Sequence, residues 1–97
     1  MVFKILISPR ALVEIEDALD YYHLNSTEAP KQFLNSIQNT FRNLQLNPFL
    51  EIKYNNIRSI RIRKFPFSFY FTINEVLGII RILSCFHHKL NSGKRPV

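Results

Sequence analysis

The chain has one cysteine, no tryptophan and no apolar run of membrane length. The lone Cys85 excludes an internal disulfide and a cysteine-based zinc cluster. A spanning helix needs about 20 apolar residues in a row. The stretch Leu77-Gly78-Ile79-Ile80 is cut short by Arg81. The apolar run at 2–7 contains Lys4 and lacks a small-residue cleavage site, so it reads as a strand rather than an export signal. These features predict a soluble, cytoplasmic protein with no membrane contact. Acidic side chains are also scarce, but only in one half. Residues 1–50 hold four basic and five acidic side chains, whereas residues 51–97 hold nine basic and two acidic. The net charge of +6 is therefore concentrated in the second half, where it attracts polyanions or an acidic protein partner.

The 97 residues suit one domain spanning 1–97. A chain this short buries roughly two-thirds of the surface its unfolded form exposes, which predicts a small core. With 46% apolar residues, nine Phe and four Tyr, the chain can build that core and does not have the composition of a disordered protein. No internal repeat or low-complexity segment interrupts the chain.

The hydrophobic pattern predicts a strand over 2–7. Ser8-Pro9 then supplies an N-cap and a first helical residue. Leu12, Ile15, Leu19 and Tyr22 form one apolar stripe, with Glu14, Glu16, Asp17 and Asp20 read as a solvated face. Thr27 is placed to cap a second helix, with Pro30 in its first turn and Asn47-Pro48 at its end. Its apolar face is Phe33, Leu34, Ile37, Phe41 and Leu44. From Ile57 the period becomes two. Strands are predicted over 57–64, 67–74 and 79–86, with 89–97 a loose tail. The order β-α-α-β-β-β predicts an α+β fold, a helical hairpin packed on one face of a mainly antiparallel sheet.

Alternation assigns Phe3, Ile5, Ile7, Ile60, Ile62, Phe67, Phe69, Phe71, Ile80, Ile82 and Phe86 to the core side of this sheet. The open side then receives Lys4, Ser59, Arg61, Arg63, Ser68, Tyr70, Thr72, Arg81, Leu83, Cys85 and His87. The site expected for a target or an anion is Lys4, Arg61, Arg63, Tyr70, Arg81 and His87. Guanidinium groups hold phosphates bidentately, and Tyr70 can stack on a base. Adjacent His87 and His88 point to opposite faces, so only one can join this surface and exchange protons there. Solvated strand arginines are the plainer reading. His23 reads as structural and Cys85 as a packing residue. No third ligand stands at metal-site spacing, and no cofactor is expected.

The segment Ile57-Arg58-Ser59-Ile60-Arg61-Ile62-Arg63-Lys64-Phe65-Pro66-Phe67 resembles the RelE/ParE toxin superfamily, whose members run from an Arg-rich strand through Phe-Pro-aromatic into an aromatic strand. Ile7-Ser8-Pro9-Arg10-Ala11, Asn47-Pro48 and the ending Ile82-Leu83-Ser84-Cys85-Phe86-His87-His88, with Arg95-Pro96 beyond, extend the resemblance over nearly the whole chain. It implies the toxin of a type II, plasmid-stabilisation toxin–antitoxin system, neutralised by a cognate antitoxin. RelE-like members cut mRNA on the ribosome, and ParE-like members poison DNA gyrase. The ribonucleases usually carry arginine where this chain has Ser68. That departure favours a ParE-like member. If the chain is instead an mRNA endoribonuclease, the resemblance implies Arg81 and His87 or His88 as catalytic residues, and Arg61 or Arg63 is the candidate to stand in for the arginine missing at Ser68. An inactive toxin or a non-toxic basic binding module is the third reading.

Overall fold

The computed structural model describes residues 2–90. Its elements are β1 (Lys4–Ile7), α1 (Pro9–Asn25), α2 (Glu28–Leu46), β2 (Ile52–Tyr54), β3 (Ile57–Arg61), β4 (Phe67–Asn74) and β5 (Ile79–His87). One five-stranded sheet has the order β1-β5-β4-β3-β2, with β1 parallel to β5 and every other pair antiparallel. The expected α+β class therefore holds. The structure adds β2, a three-residue strand whose sequence, Ile-Lys-Tyr, is too short to show a period. It turns back through Asn55, which takes a left-handed φ of 53°, a conformation Asn tolerates.

Local chemistry sets the helix ends. Ser8 is extended, and its Oγ accepts the Ala11 N–H at 3.1 Å while Pro9 opens the helix. The second cap falls one residue earlier than expected. The Ser26 hydroxyl, not Thr27, accepts from Glu28 N and Ala29 N at 3.1 and 3.0 Å. Asn47 closes α2 by donating its backbone N–H to the Asn43 carbonyl, and buried Pro48 follows.

The core lies between the helices and one sheet face. Phe33 is fully buried, with ring centroids 4.9 Å from Phe65 and 5.3 Å from both Tyr22 and Phe67. Phe41 covers Phe69 at 4.9 Å. Phe3, Ile62, Phe67, Phe69, Phe71, Ile80 and Ile82 are buried as alternation predicts, and Ile5 and Ile60 are partly so. Ile7 departs from the expectation and is 39% exposed. The predicted strand over 57–64 stops at Arg61. Beyond it, Lys64 takes φ 72°, and the Phe65 N–H returns to the Ile62 carbonyl. Of the expected tail, Lys89 and Leu90 lie in a turn, and 91–97 fall outside the described residues.

One register change governs the rest. Tyr70 pairs with Ser84, but its neighbour Phe71 pairs with Ile82, so Leu83 is an extra residue in β5. This β-bulge reverses the facing of everything after it. It is tied down by α1: Ser8 N–H donates to the Ile82 carbonyl and Ser8 Oγ to the Leu83 carbonyl. Glu14 Oε1 then accepts from both Ser84 Oγ and Cys85 N at 3.0 Å, with Arg10 at 3.6 Å from Oε2. Glu14 is thus a structural clasp between α1 and β5, correcting its reading as part of a solvated face.

Candidate functional site

The open face of the sheet is built from β4 outward. Ser68, Tyr70 and Thr72 stand on it, and their cross-strand partners are Arg61, Ser59 and Arg81 in register. Lys4 joins at the β1 end, where Leu6 pairs with Arg81. Four of the six expected residues, Lys4, Arg61, Tyr70 and Arg81, therefore share this face.

The other two do not. Arg63 lies beyond the end of β3, in the turn, where it faces α2. His87 follows the bulge, pairs with Phe67 and packs edge-on against that ring at 4.8 Å, on the helix side. Its Nδ1 accepts the Lys89 and Leu90 backbone N–H groups, each at 3.0 Å. Two donors on Nδ1 place the neutral ring's proton on Nε2 and make His87 the cap of the turn that ends β5. By the same reversal, Cys85 moves into the core, 2% exposed. Phe86 leaves the expected core side and packs against Tyr70 on the open face at 5.8 Å.

His88 occupies the position expected for His87. Its Nε2 shares a 2.7 Å hydrogen bond with Ser68 Oγ, across from Arg61. Burial holds its imidazole below the ordinary 6.5, and the Arg61 guanidinium and His87 add to the effect. The native protein therefore binds fewer protons here than the unfolded chain as pH falls through 6.5. This group's contribution to stability is intact above that value and lost below it. Acidifying from about pH 7.5 to about pH 5.5 should lower the thermal midpoint of the wild type more than that of His88→Gln. Equal slopes in both proteins would contradict the assignment. Tyr70 is pushed above its usual phenol range, first by burial and then by neighbouring Tyr54, so it stays neutral.

The charges sit at two ends rather than at one centre. Arg61 and Arg81 are opposite Ser68 and Thr72, four residues apart on β4. At about 3.3 Å per residue that is roughly 13 Å of strand. They also line different cavities. Arg81 borders a cleft of about 370 Å³ with Asn74 and Glu75, and Arg61 borders a groove of about 580 Å³ against α2. Between them lies an aromatic middle, Tyr70 and Phe86, beside Ile57 and Tyr54. Neither His88 nor Phe86 was readable as a member of this face, because β5 gives no sign of its extra residue. Among the described residues, no group of three or more His, Cys, Asp or Glu comes together to hold a metal ion.

Residues 5–89 match the family model described as ParE toxin of type II toxin-antitoxin system, parDE. The fold matches a structure of the chromosomal ParDE system from P. aeruginosa with a TM-score of 0.73 at 18% identity, covering 89% of this chain and 96% of that one. It also matches E. coli toxin RelE, a doubly substituted form in the free state, with a TM-score of 0.65 at 12% identity over 93% and 87% of the two chains. The YoeB dimer from S. aureus aligns with a TM-score of 0.60 at 22% identity over 91% and 99%. Among curated protein sequences, none matches. The two-helix layer, the mixed five-stranded sheet and a family match spanning nearly all the described residues lead to one conclusion: the chain belongs to the ParE toxin family and is a toxin of a type II toxin–antitoxin system.

Proposed function

We propose that this toxin is ParE-like and acts by binding a protein target through its open sheet face, with DNA gyrase as that target. The separation of Arg61 from Arg81 across an aromatic middle carries this reading. A phosphodiester-cleaving site gathers its cations on one phosphate, whereas aromatic rings flanked by arginines are what protein interfaces favour. Ser68 in place of the ribonucleases' arginine supports the same reading. Purified toxin should inhibit DNA supercoiling by gyrase and leave ribosomal translation intact. Blocked translation with normal supercoiling would reverse the assignment.

One cluster favours the RelE-like alternative, a ribosome-dependent mRNA endoribonuclease. His88 is neutral near pH 7, hydrogen-bonded to Ser68 and near Arg61, so it can accept a proton beside a held phosphate. Under that reading His88, not His87, is the base, and His88→Ala abolishes cleavage.

We further propose a cognate antitoxin in the cytoplasm as partner. Leu12, Val13, Tyr21 and Leu24 of α1 and Leu34 of α2 are exposed. An amphipathic helix covers such residues, and an extended acidic segment suits the basic sheet face. Among the described residues, no helix is long and apolar enough to cross a membrane.

A further inference from the structure

A second cationic feature begins at Arg61 and turns away from the open face. The groove between α2 and the β3–β4 turn, about 580 Å³, has Arg61, Arg63 and Lys64 on one wall. The other wall carries Asn35, Asn39 and Asn43, one helical turn apart on a single line of α2. The volume lies within the ~300–1,000 Å³ range of small-ligand sites. None of these six side chains makes a hydrogen bond or an ion pair among the described residues.

Two local choices run against stability. Asn is a mediocre helix former, yet three recur inside α2 on the line that faces the cations. Lys64 holds a left-handed backbone, φ 72°, where glycine would sit without strain. Strained or poorly suited residues that converge on a cavity point to a ligand rather than to the fold.

The chemistry of the two walls is specific. Three cations with no carboxylate among the groove's lining residues suit a phosphate chain. A carboxamide matches the donor and acceptor edge of a purine base bidentately, as Asn does with adenine. We propose that this groove binds a purine nucleotide, with phosphates on Arg61, Arg63 and Lys64 and the base edge on the Asn35–Asn39–Asn43 line. The nucleotide is either free or part of a single strand. It shares Arg61 with the open face, and Arg63, Lys64 and the asparagine line are its own.

Titration of the purified toxin with ATP, with inorganic tripolyphosphate and with twelve-nucleotide adenine strands of RNA and DNA tests the proposal. Binding of ATP or of either strand is expected, weakened roughly tenfold or more in Arg63→Ala/Lys64→Gly. Asn35→Ala/Asn39→Ala/Asn43→Ala should erase the preference for ATP over tripolyphosphate, also about tenfold. Tighter binding of ATP than of the strands identifies a free nucleotide; the reverse identifies a strand, with the RNA and DNA arms separating its sugar. Misfolding does not obscure the result, because Asn→Ala favours the helix and Lys64→Gly relieves the turn. Lys53→Ala, an exposed cation on β2, controls for the loss of charge. The proposal is overturned if neither ATP nor a strand binds at about 1 mM, if tripolyphosphate binds as well as ATP, or if Lys53→Ala weakens binding as much as the groove variants do.

Discussion

Phe33→Ala should lower the unfolding free energy by about 3–5 kcal/mol, the usual cost of emptying a large aromatic site in a core. Phe33 is fully buried and meets Tyr22, Phe65 and Phe67, so its removal opens a void bounded by three rings rather than by movable chain ends. Those rings belong to α1, the β3–β4 turn and β4, and they cannot all collapse inward at once. A small domain has about 5–15 kcal/mol of stability in total, so the variant stands near its unfolding threshold. Urea denaturation followed by circular dichroism measures the loss. A decrease below about 1 kcal/mol would mean that Phe33 does not bridge the helices and the sheet as described.

Cys85 should resist a disulfide reagent in the native protein and react at once when the chain is unfolded. Burial pushes its thiol up to about 12 from the ordinary 9.0, and the nearby Glu14 carboxylate adds to the shift. The reactive species is the thiolate. Three pH units cut its population roughly a thousandfold at neutral pH, before any steric protection by the core. The measurement also reads the bulge. Had alternation run unbroken through β5, Cys85 would stand on the open face and react freely. Labelling of the folded protein at the rate of the unfolded chain would therefore remove both the burial and the register that produces it.

Where β4 is concerned, the sequence was transparent. Phe67, Phe69 and Phe71 alternate with Ser68, Tyr70 and Thr72, and each triplet lies on its own face. Ser8-Pro9 announced α1 because cap and first-turn chemistry are local. β5 was different. Its residues alternate well enough to read, but one extra residue at Leu83 inverts Cys85, Phe86, His87 and His88 together. The cause is remote in sequence: Ser8 and Glu14 bind the bulge from 75 and 70 residues away. No periodicity within β5 carries that information. Arg63 was misplaced for a related reason. The Ile-Arg-Ile-Arg alternation runs on past Arg61, but the backbone leaves the sheet there. Glu14 looked solvated because its hydroxyl and amide partners are invisible from α1 alone.

Gyrase supercoiling assayed with two altered toxins tests most directly whether the open face does the work. Arg61→Glu/Arg81→Glu reverses both cationic ends of that face, and His87→Ala alters only the helix side, at the turn cap and the Phe67 contact. The charge-reversed protein should lose inhibition while His87→Ala, checked to be folded, retains it. Inhibition that survives in the first protein and vanishes in the second would place the working surface on the opposite side of the sheet.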